Sequence, residues 1–179
     1  GITSFLLVGF YRDRYLPVKN ALKTISLYRL GDICLMLALW TSHHIWHENI
    51  TFAKLENAEL VTSHIAGNYA SVIFLISMII IAASIKSAQF PFSSWLPRAM
   101  EGPTTSSAVF YGSLSVHLGV FLLMRTHNYW ESIMLIKIII ISIGVCTAVV
   151  ATSIARVQST VKTQIAYSSI AQIGLMFIE

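Results

Sequence analysis

Apolar residues along this chain gather in long, nearly unbroken stretches, not in the three-and-four spacing of a soluble amphipathic helix or the alternation of a half-buried strand. Five stretches run roughly over Ala21–Thr41, Tyr69–Ala88, Ser106–Met124, Ile133–Ser153 and Ile165 to the end. Each is long enough to cross, or begin to cross, a hydrocarbon layer that takes about 20 helical residues. A shorter one, Ile2–Phe10, amounts to about half a span. The chain opens within apolar sequence, and Ile170–Ile178 is still apolar, without the Pro or basic residues that close a helix. Residues 1–179 are therefore expected to be an internal window of one longer transmembrane domain. The expected fold is all-α, a polytopic transmembrane helix bundle with about 5–6 spans.

Most connections between the stretches are short. The exception, His43 to Asn68, carries Glu48, Lys54, Glu56 and Glu59 and is expected to hold an amphipathic surface helix. Between Lys86 and Ser106 the pattern breaks differently, because Pro91, Pro97 and Pro103 recur every six residues with Gly102 beside the last. Each proline lacks an N–H and clashes with the preceding turn, so no straight helix runs through them. Freed backbone groups at membrane depth are tolerated only inside protein or beside a water-filled cavity. A proline-broken helix near Lys86, with Trp95 inside it, marks the expected site.

Composition makes lipid the solvent. The chain is 55% hydrophobic and 11% charged, with a mean hydropathy of +0.70, whereas a soluble domain carries about 25% charged residues. Twelve Lys and Arg against eight Asp and Glu are too few to cover the surface of a soluble domain. The net charge of +4 is set by side and not by sum, and nothing indicates nucleic-acid binding. If each stretch crosses once, Arg12, Arg14, Lys19, Lys23, Arg98, Arg156 and Lys162 share one side, against Lys54 and Arg125 on the other. The excess of basic residues places the Arg12/Arg14 loop on the cytoplasmic side of a bacterial plasma membrane or an organellar inner membrane. Cys34 and Cys146 lie far apart in apolar stretches and read as packing residues. His43, His44 and His47 share a helix face but lack the glutamate of a zincin motif, so a wet interfacial cluster is expected and no metal site. No nicotinamide, flavin or iron–sulfur motif is present, and no resident cofactor is expected in this chain.

Charged groups inside the stretches carry the candidate chemistry: Arg29, Asp32, Lys86, His117 and Lys137. A charge near the bilayer centre costs about 2.5–3.5 kcal/mol on insertion scales, so such residues face the bundle interior and mark ion paths. Arg29 and Asp32, spaced i,i+3, can pair, either to hold a helix or to relay a proton. Lys86 has only Ala82, Ala83, Gln89 and Phe90 at helical spacing, so its partner must come from elsewhere. Desolvation disfavours a lysine's charged form and a nearby carboxylate favours it, which makes such a pair a switchable proton carrier. The plainer reading of Lys86 is an amine reaching for the interface. His117 reads as a relay or as hydrogen-bonded core. Lys137 and Lys162 are path residues or interfacial anchors.

These residues carry a resemblance. The run Lys86-Ser87-Ala88-Gln89-Phe90-Pro91-Phe92-Ser93-Ser94-Trp95-Leu96-Pro97-Arg98-Ala99-Met100-Glu101-Gly102-Pro103-Thr104 resembles the signature of the antiporter-like membrane subunits of respiratory complex I. Ser4–Phe10, Arg29-Leu30-Gly31-Asp32 and Gln158–Gly174 are similar to further segments of its chain L, or chain 5, subunits. The family also takes in subunits of cation/proton antiporters and membrane partners of inorganic-carbon uptake complexes. The resemblance implies a bundle of inverted five-helix repeats with broken helices. It implies proton translocation through Lys86, with Arg29, Asp32 and Lys162 at matching motif positions, whereas His117 and Lys137 are path candidates from their residue type and place alone. Redox chemistry would be done by other subunits of a multi-subunit complex, with protons or sodium as the transported ion. The alternative it leaves open is ion transport without NADH oxidation. It also implies a glutamate partner for Lys86 upstream of Gly1. The chain departs from the pattern where Tyr111 stands in place of a histidine, Thr105 in place of the last proline of the signature, and Thr160 in place of an aspartate.

Overall fold

The computed structural model describes residues 2–11, 13–47, 61, 63, 67–108 and 114–178, without the side chain of Ser106. Arg12, Tyr111, Glu48, Lys54, Glu56 and Glu59 lie outside the described residues. Every regular element among the described residues is helical: α1 Ile2–Val8, α2 Tyr15–Trp46, α3 Tyr69–Lys86, α4 Trp95–Ala99, α5 Thr104–Ser106, α6 Ser115–Arg125, α7 His127–Trp130, α8 Met134–Ala155 and α9 Val161–Met176.

Helix α2 runs for 32 residues, about 48 Å at 1.5 Å per residue. It starts earlier than the apolar stretch suggests, since Tyr15-Leu16-Pro17 supplies a first turn in which a proline's missing N–H has no intrahelical partner to lose. Its buried positions, Pro17, Ala21, Thr24, Tyr28, Gly31, Cys34, Ala38, Thr41 and Ile45, recur every three or four residues and form one stripe. From Leu30 onward the opposite face is also apolar, with Leu30, Ile33, Met36, Leu39 and Trp40 exposed. A helix that is apolar all round is buried in protein or faces lipid.

Helices α2 and α3 make one tight pair and α8 and α9 another. Helix α6 packs on α3 and α9, and α4 touches both α2 and α9. Helices α3 and α8 are by length and composition able to cross a membrane. Helix α2 is longer but carries Lys19, Lys23, Arg29 and Asp32, while α6 and α9 have 11 and 16 residues.

Two crossings bring backbone against backbone, the way membrane helices associate when oil offers no hydrophobic gain and small residues allow close packing. Where α8 meets α9, a Cβ on Gly144 would sit 2.7 Å from the Gly174 carbonyl oxygen, and one on Gly174 would sit 2.9 Å from that of Gly144. Where α6 meets α3, a Cβ on Gly119 would run into Ser87 Oγ and lie 2.5 Å from the Ala83 carbonyl oxygen. Neither Ala83 nor Ser87 is exposed to any measurable degree, so nothing there yields without moving the last turn of α3. Gly119→Ala is expected to cost about 1–3 kcal/mol, as overpacking does, and to lower the melting temperature of the detergent-solubilised protein. An unchanged melting temperature would mean the two helices do not meet at this residue.

Candidate functional site

The site is built on the last turn of α3, where Ala82, Ala83, Ser84 and Ile85 are buried and Lys86 is the terminal residue. The helix stops before any proline. Ala88 takes a left-handed conformation with φ of 52°. Its N–H donates to the Ile85 carbonyl (3.3 Å), and that of Gln89 donates to the Ser84 carbonyl (2.8 Å). This is the paired closure of a Schellman motif, with Ala88 in the place usually held by glycine. A positive φ disfavours most side chains, and the small alanine, wholly buried, is held there by its surroundings. Ending the helix here puts the Lys86 ammonium at the negative end of the α3 dipole, which favours a cation.

Three neighbouring helices hold the break in place. The Trp95 indole N–H of α4 donates to the Ile85 carbonyl (3.0 Å), which the end of α3 leaves with no i+4 partner. Ser87 Oγ donates to the Val116 carbonyl of α6 (3.0 Å). The Phe90 N–H donates to Thr147 Oγ1 of α8 (3.0 Å). The prolines shape the segment beyond the break: Pro97 is buried within α4, and Pro103 is the residue before α5. Gly102 lies so close to α1 that a Cβ would stand 2.8 Å from the Leu7 carbonyl oxygen.

Lys86 has a carboxylate partner within the chain. Its Nζ donates to Asp32 Oδ1 at 2.6 Å, the length of a strong charge-assisted hydrogen bond. The Lys86 side chain keeps 18% of its surface exposed and that of Asp32 38%, so the pair is largely desolvated on the lysine side. Asp32 stands 54 positions earlier on α2, and a search at helical spacing cannot find it. Gly31 leaves room for Ile85, since a Cβ there would meet Ile85 Cγ2 at 3.3 Å, while Lys86 Cε would stand at an ordinary 3.8 Å. The expected Arg29–Asp32 pair is present but long, 3.9 Å from Arg29 Nη1 to Asp32 Oδ2, with the Arg29 side chain 58% exposed. Asp32 is thus shared, and its short bond goes to Lys86.

Tyr28, one helical turn before Asp32, completes the pocket. The Lys86 Nζ lies 4.7 Å from the centre of its ring, within the range of a cation–π contact. The Tyr28 hydroxyl is hydrogen-bonded with Ser115 Oγ of α6. Its ring also packs on Trp95 with centroids 4.9 Å apart. The sequence reading missed Tyr28, although its i,i+4 spacing to Asp32 puts both on one helix face.

The other candidates stand apart from this cluster. His117 is exposed on α6 and lines a groove of about 720 Å³ with His127, Trp130 and Phe177. Lys137 is half-buried near the start of α8. Lys162 Nζ donates to the Gly102 carbonyl (3.3 Å), tying α9 to the loop between α4 and α5. At the same end, Asn20 Nδ2 donates to Glu101 Oε1 (2.6 Å). At the far end of α2, His44 lies parallel to Trp40, with ring centroids 6.0 Å apart, and meets His47 edge to face. Among the described residues no group of three or more His, Cys, Asp or Glu is placed to hold a metal ion.

Comparison with known proteins agrees with this architecture. The chain is 38% identical to NADH-ubiquinone oxidoreductase chain 5 of Paracentrotus lividus over 180 aligned positions, covering 98% of this chain and 26% of that one. It is 35% identical to NADH-quinone oxidoreductase subunit L of Escherichia coli, covering 99% of this chain and 28% of that protein. It spans about a quarter of the length of these relatives. Its fold superposes on a chain in the structure of the Mrp complex from Dietzia sp. DQ12-45-1b with a TM-score of 0.85 at 25% identity, covering 99% of this chain and 19% of that chain. Residues 1–179 match throughout the transmembrane family shared by NADH:quinone oxidoreductases and Mrp antiporters, and the chain belongs to that family.

Proposed function

We propose that this chain is part of an antiporter-like membrane subunit that translocates protons within a respiratory NADH:quinone oxidoreductase, and that the Lys86–Asp32 pair is its proton-carrying element. The observation that carries the reading is the 2.6 Å bond between Lys86 Nζ and Asp32 Oδ1 at the end of a broken helix. An ion pair with one adjustable distance works as a switch. Closed, the carboxylate offsets the ammonium. Opened, it leaves a lone cation in apolar surroundings, a state costing several kcal/mol that handing on the proton relieves. Redox chemistry in other subunits of the complex would supply the work. Similarity to a chain of the Mrp complex favours, as a second reading, cation/proton exchange outside a redox enzyme.

In this reading α2, α3, α8, α9 and the stretch Ser106–Met124 that holds most of α6 each cross the membrane, and α1 is the end of a further span. Arg14, Lys19, Lys23, Arg98, Arg156 and Lys162 lie on the cytoplasmic side. The Asn20–Glu101 and Lys162–Gly102 bonds support a shared side, because they gather the start of α2, the α4–α5 loop and the start of α9 at one end of the bundle, and the excess of basic residues there is the ground for making that side cytoplasmic.

In vesicles reconstituted with the assembled complex, Lys86→Ala is expected to reduce proton pumping by about tenfold or more, with assembly on native gels retained. A scaffold role predicts that pumping stays intact. For sidedness, a cysteine introduced as Asn68→Cys should react with an impermeant maleimide from the side opposite the cytoplasm. Reaction from the cytoplasm alone would reverse the orientation.

A further inference from the structure

The Lys86–Asp32 bond fixes one direction of the ammonium and leaves the rest of its approach to whatever surrounds it. Tyr28 is the neighbour whose ring faces Nζ, at 4.7 Å from the centroid. We propose that Tyr28 is a positioning residue for Lys86, its π face holding the ammonium beside Asp32. This rests on the functional reading above, since a positioned lysine matters only if it carries protons.

The ring is fixed from two other directions. Trp95 packs against it at 4.9 Å with the planes inclined by 55°, and the Trp95 indole N–H is bonded to the carbonyl of Ile85, the residue before Lys86. A shift of the α3 terminus therefore moves both the lysine and the ring's packing partner. The Tyr28 hydroxyl, hydrogen-bonded with Ser115 at the first residue of α6, fixes the far edge of the ring. Tyr28 itself is 4% exposed, so the cation–π contact is shielded from water. Such a contact is stronger when desolvated than at an exposed site. The ring and the carboxylate sit one turn apart on α2 and approach the ammonium from the same helix. Opening the Asp32 bond thus does not free the lysine at once, because the ring still attracts the cation. Loss of the proton removes that attraction, since a neutral amine has no charge for the ring's quadrupole to act on.

Proton pumping by the assembled complex in vesicles tests this with four preparations: wild type, Lys86→Ala, Tyr28→Leu and Tyr28→Phe. Tyr28→Leu is expected to lose on the order of tenfold in pumping, and Tyr28→Phe, which keeps the ring, to recover most of that loss. A series placing phenylalanine with one, two and three ring fluorines at position 28 then separates charge attraction from packing. Fluorines withdraw electron density from the π face with little change in shape, so pumping should fall stepwise along the series at constant assembly. A flat fluorine series, or equal pumping by Tyr28→Leu and Tyr28→Phe, would overturn the role of the ring while leaving the lysine mechanism standing. Wild-type pumping by Lys86→Ala would overturn both.

Discussion

An ammonium at the end of an apolar helix has to be offset by something, and in this chain it is Asp32. The remaining features near the site stem from bringing those two groups together. Lys86 is the last residue of α3, where the helix dipole already favours a cation. Asp32 stands in the middle of α2, far from that helix's ends. For the two to meet, α2 and α3 pack closely, with Gly31 leaving room for Ile85, the residue before Lys86. The tight α2–α3 pair is thus bound up with one charge-assisted hydrogen bond.

Stopping α3 at Lys86 sets the second constraint, since carbonyls at a helix end need donors. They come from the backbone of the left-handed turn at Ala88 and from the Trp95 indole, while Ser87 and Phe90 bind outward to α6 and α8. The break is therefore a junction among three other helices, not a loose connection. A shift in any of them alters the geometry at Lys86, which is a physical route for coupling the pair to distant events. Tyr28 extends the same logic, linking the ammonium to α6 through Ser115.

Much of the fold could be read from the chain itself, because lipid as solvent demands long apolar stretches and leaves little room for alternatives. The stretch expected over Tyr69–Ala88 is α3, and that over Ile133–Ser153 is α8, each to within two residues. Helix α2 extends beyond its apolar stretch at both ends, since a helix carries on past the hydrocarbon wherever no residue stops it. The prolines were a sound sign that the helix breaks, but the stop itself comes from Ala88, whose left-handed backbone no residue type announces. The pairing of Lys86 with Asp32 was invisible for a different reason. Helical periodicity relates residues three or four apart, whereas this contact joins neighbouring helices through the tertiary fold. His117 stood out by residue type alone, and type does not fix which side of α6 a residue faces.

The central claim is that Lys86 and Asp32 act as one unit, and a double-mutant cycle on the thermal stability of the assembled complex tests it most directly. Lys86→Gln and Asp32→Asn should each destabilise by leaving one charge without its partner, and the double variant should lose less than the sum of the two. The coupling is expected at about 1–3 kcal/mol, as for residues joined by one charged hydrogen bond. Additivity of the two substitutions to within about 0.5 kcal/mol would contradict the account.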